Sequence, residues 1–157
     1  MPLTTPEELL DLLKYDITTV NGTITYRFNG KIHRDDDLPA FIDSFGAKYW
    51  YKDGNLHRDN DLPAITFIDG TKFWYKNGLQ HRDNDQPAVI YENGAKWWYK
   101  DSKLHRDNDQ PAKIYANGSE YWYKNGVQHR DNDQPAAIYA DGTEEWWVDG
   151  ELIWRES

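Results

Sequence analysis

Ile65–Ala88 reads ITFIDGTKFWYKNGLQHRDNDQPA, and these 24 residues are one unit of a repeat. Its last eight residues, HRDNDQPA, return unchanged at His105–Ala112 and His129–Ala136, with near-copies at His33–Ala40 and His57–Ala64. A fixed period of this size marks a stacked repeat architecture. Trp50, Trp74, Trp98, Trp122 and Trp146 keep the same phase. Each unit also carries two turn signals, such as Asp69-Gly70 and Asn77-Gly78, on either side of one aromatic run. Asn-Gly and Asp-Gly between apolar runs favour tight hairpins, because type I′ turns need positive φ at both central residues.

The fold class expected is therefore all-β: an elongated antiparallel sheet of β-hairpin repeats with a short N-terminal helical cap. Residues 1–16 break the period. There Thr5-Pro6-Glu7-Glu8 has the form of a capping box with proline at the first helical position, followed by Leu9, Leu10, Leu12 and Leu13. The cap would cover one open sheet edge, which is otherwise prone to aggregate. Residues 17–32 match part of a first repeat, residues 33–152 form five repeats, and residues 153–157 close the other end, with Ile153 where a sixth His would stand.

Two-residue turns at both signals predict a register. Trp74 falls between Ile65 and His81, and Lys72 between Phe67 and Asp83. On the other face Phe73 falls between Thr66 and Arg82, and Tyr75 between Ala64 and Gln80. His then packs beside Trp, Arg lies on an aromatic ring, and the first Asp of the motif meets a Lys across the strand. The second Asp, with Asn and Pro, supplies acceptors for a bend or turn; a bend, which keeps every repeat in one orientation, is favoured over a reversal, which would alternate them.

The W-Y-K-N-G and I-Y-x-N-G elements resemble MORN repeats, which build elongated antiparallel sheets from hairpins. The H-R-D-x-D-x-P-A element with W-Y-x-x-G resembles more closely a MORN-like variant found in bacterial, phage and giant-virus proteins. The resemblance covers Ile17–Leu152 and implies the repeat class. Its company implies one concrete role, a phage-encoded inhibitor of a host protein.

Composition narrows the function classes. A formal net charge of −9 disfavours direct binding to nucleic acid or an anionic membrane, since both need basic surface. There is no cysteine, so thiol chemistry is excluded. No signal-peptide pattern or apolar run of membrane-spanning length stands in the chain, and a cytoplasmic protein is expected.

His-Arg-Asp also occurs in the protein-kinase catalytic loop, but the glycine-rich phosphate loop, its paired lysine and a downstream metal-binding Asp have no counterpart here. No enzymatic activity and no cofactor are expected. A weaker alternative is a metal ion held by Asp59, Asp61, Asp83, Asp85, Asp107 and Asp109, although one Asp-x-Asp supplies too few of the six to eight oxygens that calcium takes.

Two binding readings remain. A Trp ladder of Trp74, Trp98, Trp122 and Trp146, with Tyr91, Tyr115 and Tyr139 on the same face, would suit a sugar. The same rings would suit a protein, because Trp, Tyr and Arg dominate interface energies. The ninth and eleventh positions counted from His vary beside them: Phe41 and Asp43, Ile65 and Phe67, Val89 and Tyr91, Lys113 and Tyr115, Ala137 and Tyr139. Charge varies too. Lys48, Lys72 and Lys96 give way to Glu120 and Glu144 at one position, and the expected register sets Glu120 against Asp131. That acidic end would meet a basic or nucleic-acid-binding protein. Open sheet edges also allow a homodimer, and a structural spacer is the third option.

Overall fold

In a computed structural model of the chain, residue 10 and residues 13–157 are described. They form a 14-stranded antiparallel sheet in hairpin order, flanked by four two-stranded ribbons. The repeat at Val89 shows how the pieces connect. Strand Lys96–Trp97 pairs backwards with Val89–Ile90 and forwards with Lys113–Ile114. The same chain runs on through Trp98 into Tyr99–Lys100, which pairs with Lys103–Leu104 as a ribbon. Trp98 joins both halves: its N–H donates to Ala112 O at 2.8 Å, and its carbonyl accepts His105 N–H at 3.2 Å.

Leu104 and Lys113 therefore lie along one strand and run in one direction, and Arg106–Pro111 bulge out between them. Every repeat keeps the same orientation. The bulge contains its own tight turn: Asn108 and Asp109 have φ of 59° and 52°, and Gln110 N–H reaches back to Asp107 O at 3.4 Å. Neighbouring ribbons are tied at their tips, as where Gly78 N–H donates to Leu56 O and Gly126 N–H to Leu104 O.

The two Asn/Asp-Gly turns of each repeat differ. At Asn77-Gly78 both residues have positive φ, 52° and 84°, and Tyr75 pairs with Gln80 as a two-residue turn requires. At Asp69-Gly70 only the glycine does, with φ of 92°. Gly70 N–H bonds Phe67 O, Phe67 N–H bonds Thr71 O, and Asp69 Oδ1 accepts Thr71 N–H at 2.8 Å. This is a type I turn closed by a glycine bulge, which adds a residue to the loop.

The extra residue slips the register by one. Ile65 pairs with Phe73 and Thr66 with Lys72, in place of the expected Ile65–Trp74 and Phe67–Lys72 pairs. A one-residue slip moves side chains to the opposite face. The expected positions of Phe73 and Lys72, and the shared face of Trp and Tyr91, are corrected accordingly.

The core is thin and lies between the sheet and the bulging loops. Ala40, Ala64, Ala88, Ala112 and Ala136 have no exposed surface, and Trp50, Trp74, Trp98 and Trp122 are buried beside them. Small residues at Ala47, Thr71, Ala95, Ser119 and Thr143 complete it. Two of these also bond the next hairpin: Thr71 Oγ1 accepts Glu92 N–H and Ser119 Oγ accepts Ala140 N–H.

At one edge, Asp16–Val20 pairs with Thr23–Phe28. Tyr15 is buried there, and its hydroxyl donates to Asp35 Oδ2 at 2.9 Å. Most of the expected helical cap lies outside the described residues. Of its span, Leu10, Leu13 and Lys14 have helical backbone, Leu10 and Leu13 are exposed, and no helix is seen covering the sheet among the described residues. At the other edge, Glu144–Val148 pairs with Glu151–Glu156, and a single-residue bulge at Ile153 replaces the whole loop of the earlier repeats.

Candidate functional site

The HRD element builds a clamp between repeats. Arg58, Arg82, Arg106 and Arg130 lie over Trp50, Trp74, Trp98 and Trp122, with Cζ 3.8–4.0 Å from the ring centroid. Each also reaches the second Asp of the preceding repeat with two nitrogens. Arg82 Nε and Nη2 stand 2.8 and 2.7 Å from the oxygens of Asp61. Arg106 does the same to Asp85, Arg130 to Asp109 and Arg58 to Asp37. Bidentate pairs of this kind are the strong class of charged hydrogen bond. The guanidinium holds each of these four carboxyls below the ordinary Asp range. Under the arginine, each Trp indole N–H donates to the backbone carbonyl of that same Asp, as Trp98 does to Asp85 at 3.0 Å.

Histidine links the same repeats by another route. Its Nε2 lies 2.9–3.0 Å from the first Asp of its own motif, and its Nδ1 accepts a backbone N–H from the next ribbon turn. For His57 that donor is Asn77, at 3.0 Å. The first Asp also meets a lysine, but not the one expected. Asp59, Asp83, Asp107 and Asp131 pair with Lys52, Lys76, Lys100 and Lys124 on the ribbon. Lys48, Lys72 and Lys96 sit elsewhere, paired with Ile42, Ile90 and Ile90 on the neighbouring strands. Glu120 likewise pairs with Ile114 and Ile138, so the expected Glu120–Asp131 repulsion does not arise.

The triplet shared with kinase catalytic loops is thus occupied by structure. So are the Asp oxygens considered for a metal: those of Asp59, Asp83 and Asp107 by His and Lys, those of Asp61, Asp85 and Asp109 by Arg. Among the described residues no group of three or more His, Asp or Glu converges on an ion position.

Among the described residues the HRD loops lie on one face of the sheet, and the other aromatics lie on the opposite face. Phe41, Tyr49, Phe67, Phe73, Tyr91, Trp97, Tyr115, Tyr121 and Tyr139 form one unbroken ladder there, with centroids 5.0–6.2 Å apart. Successive rings meet edge to face at 62–78°. A second column, Tyr51, Tyr75, Tyr99 and Tyr123, lies two residues along each strand. Lys113 Nζ bridges the two, 4.2 Å from the Trp97 ring and 5.0 Å from Tyr123. Burial pushes these tyrosine hydroxyls up, and pushes Lys113 down.

Most ladder rings are half-buried, and Phe67 and Tyr115 are 37% and 38% exposed. Trp97 Nε1 is buried with no hydrogen-bond partner among the described residues. At one end of the ladder Tyr139 donates to Glu145, and burial with that carboxylate raises the phenol to about 12.

The sequence-based site therefore divides. Tyr91, Tyr115 and Tyr139 lie in the open ladder. Trp74, Trp98 and Trp122 are beneath arginines on the other side, and only Trp146 of that set is half-exposed. Asp131 is paired with Lys124 and His129, while Glu120 and Glu144 stand on strands of the sheet away from it. Sequence reasoning missed Tyr49, Phe73, Trp97 and Tyr121, although their place next to each Trp put them on the opposite face of the same strand.

Neither a scan of protein-family models nor a search of curated proteins gives a match to this chain. Among the described residues no helix is long and apolar enough to cross a membrane.

Proposed function

We propose that this chain is a non-catalytic, MORN-like repeat protein that binds another protein across the aromatic face opposite its HRD loops. The observation that carries the reading is the unbroken nine-ring ladder, half-buried along its length, with Tyr51, Tyr75, Tyr99 and Tyr123 beside it. Contiguous exposed aromatic surface marks an interaction site, and rigid rings give contact area at low entropic cost. The edge-to-face tilt also favours a protein over a sugar, because successive rings offer no flat shared platform. The net charge of −9 favours a basic partner, including one that normally holds nucleic acid. A cytoplasmic inhibitor of a host protein is the specific form this takes.

The test is capture from host lysate with the parent protein, a Phe67→Glu/Tyr115→Glu variant, and a loop-face variant Asn84→Ser. The expected result is one dominant protein lost only with the ladder variant. Equal recovery by all three sinks the proposal. An oligosaccharide that saturably quenches Trp emission in the parent, but not in the ladder variant, would replace it with sugar binding.

A further inference from the structure

The clamp has five Asp sockets, and arginines of the following repeats fill four of them. Asp37, Asp61, Asp85 and Asp109 are each gripped by the arginine of the next repeat, which also covers a Trp. The fifth loop differs. Asp133 has φ of 52°, the value at Asp85 and Asp109, and its carbonyl accepts the Trp146 indole N–H at 3.0 Å. The socket is therefore set in the same pose as the filled ones. The next repeat departs from the motif, with Ile153 at the His position and Trp154 at the Arg position. No guanidinium lies on Trp146, and no cation pairs with Asp133, among the described residues. The nearby Arg155 is turned to Glu145, at 3.6 Å. A cleft of about 250 Å³ opens there, bordered by Arg130, Asp131, Asp133, Gln134, Trp146 and Ile153, and clefts of about 230–260 Å³ also lie at the filled sockets of Trp50, Trp74 and Trp98.

We propose that this C-terminal cleft binds an arginine side chain of a partner protein. The chain's own four filled sockets define the ligand. A planar fork matches both Asp oxygens while its face rests on the indole, which a lysine ammonium cannot do. Arg58, Arg82, Arg106 and Arg130 are committed within the array, and Arg155 is turned to Glu145, so none of these fills the site. The cleft stands on the loop face, opposite the aromatic ladder, so this site and the ladder are independent of one another.

The experiment is a titration of ¹⁵N-labelled full chain with the blocked peptide acetyl-Gly-Arg-Gly-amide, read at the Trp146 indole N–H. The expected result is a saturable shift at Trp146, with indoles of the filled sockets unmoved. The lysine peptide and the variant Asp133→Asn should each bind about tenfold more weakly or not at all. Asparagine tolerates positive φ, so the variant keeps the loop, and an unchanged indole spectrum before titration verifies this. The absence of a saturable shift at Trp146 overturns the proposal, as does equal response to the lysine peptide or to Asp133→Asn. Ladder variants should leave this titration unchanged, so its outcome is separable from that of the aromatic-face reading.

Discussion

The guanidinium of Arg106 grips the carboxylate of Asp85, 21 residues earlier, through Nε and Nη2, each 2.8 Å from an oxygen. In the same pose it covers Trp98 at 4.0 Å. One side chain thus joins two repeats and closes the core of its own, and in a repeat array stability rests on such nearest-neighbour terms.

Replacing Arg106 by alanine removes both roles. The expected loss is about 1–3 kcal/mol, from the cation–π contact and the cover over Trp98. Arg106→Lys should recover less than half of it, since an ammonium lacks the fork. Denaturant midpoints measure this, and equal stability of the lysine variant and the parent would refute the clamp.

Acid should weaken the array through the same pairs. Arginine hydrogen bonds lower the carboxyls of Asp37, Asp61, Asp85 and Asp109 in the folded chain. A lowered folded value contributes stability above the unfolded value of about 3.9 and loses it as pH falls through the folded value. The melting temperature should therefore drop as pH falls below about 4, the ordinary Asp value. Asp85→Asn should show a shallower drop, and identical slopes would count against this origin.

Histidine tautomers are set by the geometry. At His57 the Nδ1 accepts Asn77 N–H, so the ring proton of the neutral form sits on Nε2 and points to Asp59. Long-range ¹⁵N NMR at alkaline pH should find the Nε2–H form at His57, His105 and His129 alike. An Nδ1–H form at these positions is incompatible with the ribbon tie.

Charge reversal at Glu120 separates the observed register from the expected one. Glu120 lies beside Ile114 and Ile138, while Asp131 holds Lys124. Glu120→Lys should leave stability within about 0.5 kcal/mol of the parent. A clear gain would mean that Glu120 opposes Asp131 after all.

Much of this fold is legible residue by residue. The recurrence of Trp74 and His81 sets the period, and Asn77-Gly78 sets the ribbon register, because two positive φ values leave a two-residue turn little choice. The stacking of an arginine on an aromatic ring follows from the motif as well, though it falls on Trp74 rather than Phe73. Asp69-Gly70 is less informative, since the same dipeptide closes either a two-residue turn or a type I turn with a glycine bulge. The bond from Asp69 to Thr71 accompanies the second form, and the slip that follows exchanges the faces of Trp74 and Phe73.

By itself the sequence determined a β array of hairpin repeats, with Trp and the HRD loop as its recurring parts. These follow from local rules: period, turn chemistry and alternation along a strand. Only the tertiary structure decided which aromatics are covered and which are open, which lysine meets which aspartate, and that Asp133 and Trp146 lack an arginine. Those outcomes depend on side chains about a full repeat apart meeting across the sheet. A single added residue in one turn is enough to redirect them.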